Sequence, residues 1–166
     1  MSRGFVREDD QEEPPFIPPR APLPDGVANY VTPRGLEQLR HERQVLEQER
    51  QAAQGSEYDR RRRHAEIDGR LALLQERLST ARVVEPPTTY DEVRFGCTVT
   101  LRYLNGEGPG DERQWTIVGV DEASVKEQRI AFTSPLARAL MGKRVGDEIL
   151  SPGGPRPIRA LLLHIA

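Results

Sequence analysis

Residues 32–82 read TPRGLEQLRHERQVLEQERQAAQGSEYDRRRRHAEIDGRLALLQERLSTAR, and the spacing of apolar residues in this stretch decides the fold. Ile67, Leu71, Leu74, Leu78 and Ala81 recur at intervals of four, three, four and three, a heptad seam that runs back to His64 and Arg60. Leu36, Leu39, Leu46 and Ala53 answer from the first half, with Arg43 and Arg50 at the intervening seam positions. Between the halves, Gln54-Gly55-Ser56 breaks the pattern. Two charged amphipathic helices, about Pro33 to Ala53 and Glu57 to Ala81, are therefore expected to form an antiparallel coiled-coil hairpin. Thr32 suits an N-cap with Pro33 at the first helical position, and Ser56 suits the second cap. Ala52, Ala53 and Tyr58 are the only apolar side chains between Glu47 and His64. The distal third is thus expected to fray before the base.

Beyond this hairpin the period changes from seven to two. Glu85-Pro86-Pro87-Thr88-Thr89 stops the helix, and Val93 to Leu101 alternates apolar with polar as a strand does. Further strands are predicted at Gln114–Val120, Arg129–Phe132, Val145–Leu150 and Ile158–Ile165, and Asn105–Gly110 is predicted as a flexible turn. Ser134-Pro135 caps a predicted short helix from Leu136 to Met141, ended by Gly142. The expected class is α+β: a helical hairpin followed by a small antiparallel sheet domain with one short helix. The expected boundaries are a tail at 1–28, the hairpin at 29–83, a linker at 84–92 and the sheet domain at 93–166.

The tail holds Glu8-Asp9-Asp10-Gln11-Glu12-Glu13 and then six prolines by Pro24, so it is expected to be extended or disordered. Phe5, Phe16 and Ile17 are its possible anchors. Net charge is −2, which argues against a protein that coats nucleic acid with a general basic surface. Residues 30–82 nevertheless carry eleven arginines against nine acids. The single Cys97 excludes an intramolecular disulfide and reads as a small buried hydrophobe. No apolar run is long enough for a membrane span and no signal-peptide core is present, so a soluble, cytoplasmic monomer is expected. His41, His64 and His164 have no ligand spacing, and neither a nucleophile–base set nor a phosphate loop is present. Neither an enzyme nor a resident metal or cofactor is expected.

Several motifs now carry a resemblance. These are Tyr30-Val31-Thr32-Pro33-Arg34-Gly35, Phe95-Gly96-Cys97-Thr98-Val99-Thr100-Leu101, Ile117-Val118-Gly119-Val120-Asp121-Glu122-Ala123, Thr133-Ser134-Pro135-Leu136-Ala137-Arg138-Ala139-Leu140 and Gly142-Lys143-Arg144-Val145-Gly146-Asp147. In order and spacing they resemble the Gre family of bacterial transcription elongation factors over about residues 28–166. The resemblance implies an FKBP-like C-terminal domain that docks at the rim of the RNA polymerase secondary channel, and a hairpin that enters it. It makes core RNA polymerase the expected partner, with nascent RNA as an indirect contact. By resemblance the docking residues are Asp121, Glu122, Ala123, Thr133, Ser134, Pro135 and Arg138. Ser134-Pro135 also reads simply as a helix cap, and Asp121-Glu122 as a solvated turn.

The tip departs from the family. Cleavage-stimulating members carry an acidic pair there that helps the polymerase hold a second Mg²⁺, an ion that prefers hard oxygen ligands. Here only Ser56-Glu57-Tyr58 echoes that motif, and Gln51 and Gln54 stand where the resemblance expects the acids. The hairpin also looks about two turns short, roughly 11 Å of reach, whereas placing a catalytic group tolerates an error of only about 1 Å. A catalytic role is therefore not carried over. Glu57 and Asp59 read either as a helix start favoured by its dipole or as a displaced acidic pair, which alone would bring in the polymerase Mg²⁺. Arg60, Arg61, Arg62 and Arg63 fan around one helical turn. They read either as a solubilising patch or as a contact for RNA or an acidic protein surface. The leading expectation is an elongation regulator that occupies the secondary channel without strong transcript cleavage. The alternatives are a cleavage factor using Glu57 and Asp59, and an FKBP-like peptide-binding or prolyl isomerase module.

Overall fold

The computed structural model describes residues 13–106 and 108–166. Phe5, the acids from Glu8 to Glu12, and Glu107 of the predicted turn lie outside the described residues.

Helix α1 (Pro33–Gln51) begins as its sequence dictates: Thr32 is extended, and its hydroxyl accepts from the Gly35 amide at 2.9 Å. Helix α2 (Glu57–Thr80) begins with a capping box, in which Ser56 accepts from the Asp59 amide at 3.1 Å and Asp59 reaches back to the Ser56 amide at 3.3 Å. Leu39 and Leu46 meet Ile67 and Leu74 in a buried seam, flanked by Leu36, Leu71, Leu78 and Ala81. Towards the tip the seam turns polar. Arg50 donates to Asp68 at 2.8 Å, Arg63 pairs with Glu49 at 3.2 Å, and His64 Nε2 lies 2.9 Å from the Arg50 carbonyl oxygen. An unforeseen pair of two-residue strands closes the base: β1 (Tyr30–Val31) runs parallel to β2 (Arg82–Val83).

The second unit is a five-stranded sheet in the order β5-β4-β3-β7-β6. Its strands are β3 (Thr98–Tyr103), β4 (Glu112–Val118), β5 (Arg129–Ala131), β6 (Glu148–Ser151) and β7 (Ile158–Ile165), with α3 (Pro135–Leu140) between β5 and β6. The β3–β4, β3–β7 and β6–β7 pairs are antiparallel as expected, whereas β4 and β5 are parallel. That pair is joined by a crossover through residues 119–128 instead of a tight hairpin. The predicted strand from Val93 starts only at Thr98, because Gly96 at φ +87° and the Cys97-to-Arg94 backbone bond make a turn. Cys97, Val99, Leu101, Ile117, Ala137, Leu140, Ile149 and Leu162 fill one fully buried core.

The two units are joined closely. The Tyr30 ring packs at 5.6 Å on Phe132 and at 6.2 Å on Phe95, and those two rings pack on each other at 5.7 Å. A Cβ at Gly119 would lie 2.5 Å from the Tyr30 carbonyl oxygen, so the glycine permits β1 to approach the end of β4.

Candidate functional site

Residues 13–24 lie as an extended strap against α2, followed by a turn at Asp25-Gly26, instead of hanging free. Asn29, at the base, donates to the Arg77 carbonyl oxygen at 3.0 Å and to Thr80 at 3.2 Å. The Ala21 carbonyl accepts from Arg77. Ile17 seats on Gly69, where a Cβ would come within 2.5 Å of the isoleucine methyl. Of the three predicted anchors, Ile17 serves as one, Phe16 is 81% exposed, and Phe5 lies outside the described residues.

The strap delivers Arg20 to the junction. Its Nε donates to Asp121 at 2.9 Å, and its two terminal nitrogens donate to the two Glu42 oxygens at 2.8 and 3.0 Å. Its pKa is raised by those partners, chiefly the Glu42 hydrogen bond, with burial opposing. Arg77 adds a second, looser contact to Asp121 at 3.5 Å. Beside it, Glu122 receives the Thr32 hydroxyl, takes Arg129 at 2.5 Å and has Arg34 at 3.6 Å. Gly35 makes room, since a Cβ there would sit 2.7 Å from the Glu122 carboxylate. One cap hydroxyl therefore accepts from α1 and donates to the sheet domain.

This arrangement divides the expected docking residues. Asp121 and Glu122 expose only 8% and 2% of their side chains and face inward, so neither is a solvated turn. Ala123, Pro135 and Arg138 are exposed, and Thr133 and Ser134 are partly so. The parallel β4–β5 pairing sends both stretches out of the sheet at the same end, since the Phe132 amide donates to the Val118 carbonyl at 2.9 Å. Ser134 caps α3 by accepting from the Ala137 amide at 3.3 Å. The outward-facing set is therefore Ala123 with Thr133, Ser134, Pro135 and Arg138.

At the other extreme the tip presents Glu57, Tyr58 and the four arginines, all exposed. Asp59 is engaged otherwise. Its Oδ2 accepts from the Ser56 hydroxyl at 2.6 Å and from the Ser56 amide, so its carboxylate closes a helix cap. Among the described residues Glu57 makes no hydrogen bond or ion pair, while Arg62 donates to the Tyr58 hydroxyl at 3.4 Å and Arg63 reaches Glu49 and Glu66. Among the described residues no group of three or more His, Cys, Asp or Glu side chains is placed to hold a metal ion. No helix among them is long and apolar enough to cross a membrane. Four aromatic residues of the sheet domain, Phe95, Phe132, Trp115 and Tyr103, separate two and two and so form no shared peptide pocket. Phe95 and Phe132 pack at the junction, while Trp115 donates to the Tyr103 hydroxyl at 2.9 Å beside a groove of about 480 Å³.

Arg20 and Gly69 were not among the sequence candidates. Their signal was present: a glycine inside a heptad stretch marks close approach, and a lone arginine among prolines needs a partner.

Comparison with known proteins adds an independent line. A family model described as "Transcription elongation factor, GreA/GreB, C-term" matches residues 87–156. The chain is 35% identical over 152 residues to a transcription elongation factor GreA of Brucella canis, an alignment covering 80% of this chain and 95% of that protein. It is 44% identical over 93 residues to the GreA of Hyphomonas neptunium, covering 54% of this chain and 57% of the relative. Among solved structures, GreA factor homolog 1 (Gfh1) of Thermus thermophilus aligns at a TM-score of 0.40 and 20% identity, over 84% of this chain and 99% of that one.

Proposed function

The chain belongs to the GreA/GreB family of transcription elongation factors, and from that premise we propose that it is an RNA polymerase-binding regulator whose hairpin occupies the secondary channel without stimulating strong transcript cleavage. The observation that carries this reading is the tip. Gln51 and Gln54 stand where the family resemblance expects acids, and Asp59 is closed into the Ser56 cap. A carboxylate that must hold two donors of its own helix start is poorly disposed to coordinate Mg²⁺ at the same time. That leaves Glu57 alone, and one acid does not make the paired site that two-metal hydrolysis uses.

The surface that meets the polymerase is, on this reading, the outward set Ala123, Thr133, Ser134, Pro135 and Arg138. Asp121 and Glu122 act behind it by fixing the hairpin against the sheet domain. The expected compartment is the cytoplasm, where the polymerase works.

The test is a pull-down with core RNA polymerase, followed by an RNA cleavage assay on backtracked complexes. Binding that is weakened by joint Ser134→Ala and Pro135→Ala substitution, without cleavage above the polymerase background, is the expected result. Robust shortening of the RNA that depends on Glu57 would overturn the proposal in favour of a cleavage factor. Equal binding by both proteins would remove the assigned docking surface.

A further inference from the structure

We infer that the hollow between the strap and α2 is a binding site for a monovalent organic ammonium, an aliphatic body that carries one protonated amine. The strap touches α2 at two places: Ile17 seats on Gly69, and the Ala21 carbonyl accepts from Arg77. Beyond Ala21 the chain passes through the turn at Asp25-Gly26, where the Val27 amide donates to the Pro24 carbonyl at 3.1 Å, and regains α2 at Asn29. Between this arch and the helix lies a cavity of about 880 Å³, a size usual for small-molecule sites, which run from roughly 300 to 1,000 Å³. Its aliphatic wall is Ile17, Leu23, Val27 and Leu73, each only half-buried.

The polar groups of this cavity are mostly acceptors that lack a donor. Asn29 lines it and is 3% exposed. The Asn29 amide nitrogen donates to the Arg77 carbonyl and to the Thr80 hydroxyl, both at the end of α2, and its Oδ1 has no hydrogen-bond partner. A buried amide oxygen left this way is uncommon, because the desolvation of the group goes uncompensated. Pro19 and Pro24, also in the lining, bring carbonyls without N–H groups. Asp25 and Glu76 complete the set, and among the described residues neither makes an ion pair.

Charge sets the sign of the ligand. Arg20 and Arg77 also line the cavity, but Arg20 is committed to Glu42 and Asp121, and Arg77 to the Ala21 carbonyl and Asp121. Arg82 is the one lining base without a carboxylate partner among the described residues. Two open carboxylates against one open guanidinium leave a net charge of −1, which suits a single cation and disfavours an anion of the same shape. An ammonium has three N–H donors, enough to serve the Asn29 oxygen and a carboxylate together. Its hydrocarbon body would displace water from the aliphatic wall. Among the described residues, none from 22 to 28 makes a hydrogen bond to α2, so the arch adjusts around a guest without breaking one.

Titration of the full chain with hexylamine at neutral pH, followed by proton–nitrogen NMR, tests this. The expected result is saturable shifts of the Gly26, Val27 and Leu73 amides and of the Asn29 side-chain amide, with Leu101 and Leu162 of the sheet core unmoved. Hexanol and hexanoate, equal in length and different in charge, should produce no such shifts. Joint Asp25→Asn and Glu76→Gln substitution should weaken hexylamine binding by about tenfold or more, the scale of one charged hydrogen bond. Both side chains are exposed, so the variant keeps its fold. Arg82→Gln should bind the amine at least as tightly as wild type. Absent or unsaturable shifts, an equal response to hexanol or hexanoate, or unchanged affinity in the doubly neutralised variant would overturn the proposal. Binding lost in Arg82→Gln would overturn it too, because the site would then serve a zwitterion. The measurement contains no polymerase, so its failure and a failed pull-down are separate results.

Discussion

Arg20 and Asp121, 101 residues apart, are joined at 2.9 Å, and the same guanidinium holds Glu42 of α1 through two further hydrogen bonds. One side chain from a proline-rich strap therefore links the hairpin to the sheet domain. Only 18% of it is exposed, and Asp121 is more deeply buried, so screening is weaker than at an open surface pair.

Arg20→Ala should lower stability by about 2 kcal/mol, within the range for hydrogen bonds to charged groups, as measured by urea unfolding. Asp121 would keep only the 3.5 Å contact to Arg77. Arg20→Lys should recover part of the loss, because it restores the charge without the fork that serves two carboxylates. A double-mutant cycle with Asp121→Asn should be non-additive by at least about 0.5 kcal/mol. Additive losses would show that the two residues act apart.

Gly119→Ala should separate the two units at β1. The added Cβ would lie 2.5 Å from the Tyr30 carbonyl oxygen, which belongs to backbone and cannot swing aside as a side chain can. Relief requires moving β1, and with it the Tyr30 ring that packs on Phe132. The expected cost is about 1–3 kcal/mol, as for other overpacked sites, with loss of the Tyr30–Phe132 contacts in NMR spectra. An unchanged ring contact and an unchanged unfolding midpoint would show that the approach is loose in solution.

Much of this fold was legible because it is local. The heptad spacing, the Thr32-Pro33 start and the Ser56 cap each depend on residues within a turn or two, and all three stand in the structure. The period-two strands near Gln114 and Ile158 were legible for the same reason. What escaped was non-local. Strands of two residues, such as β1 and β2, have no period to detect. An extended proline-rich segment makes no hydrogen bonds with itself, so nothing within it says that it seats on α2. Asp121-Glu122 reads as a turn until Arg20, Arg77, Thr32 and Arg129 are brought round it. In the candidate site, Ser134 and Asp59 were visible as polar residues near helix starts, but only the geometry assigns Asp59 to a cap.

Ser56→Ala and Asp59→Ala should each cost about 1 kcal/mol of local helix stability. The effect should be confined to the tip, because the cap satisfies amides of the first turn of α2 alone. Faster hydrogen exchange at Asp59 and Arg60, with unchanged exchange around Leu74, is the expected pattern. Protection that drops along the whole of α2 would mean that the cap supports more than its own end.

The polar end of the seam should be sensitive to acid and salt where its leucine base is not. Asp68 is held below the ordinary aspartate pKa, first by its hydrogen bond from Arg50 and then by the charges of Arg50 and His64, with burial opposing. A carboxylate depressed in the folded state contributes stability that is fully present above the unfolded value, about 3.9. That contribution disappears as pH falls through the lower folded value. Wild type should therefore unfold at higher urea than Asp68→Asn at neutral pH, and the gap should close on going from about pH 4 to about pH 2. About 1 M salt should narrow the same gap at neutral pH, because both partners are substantially exposed and screening reaches them. A gap that stays constant across this range would mean that Arg50 and Asp68 pair without stabilising the hairpin.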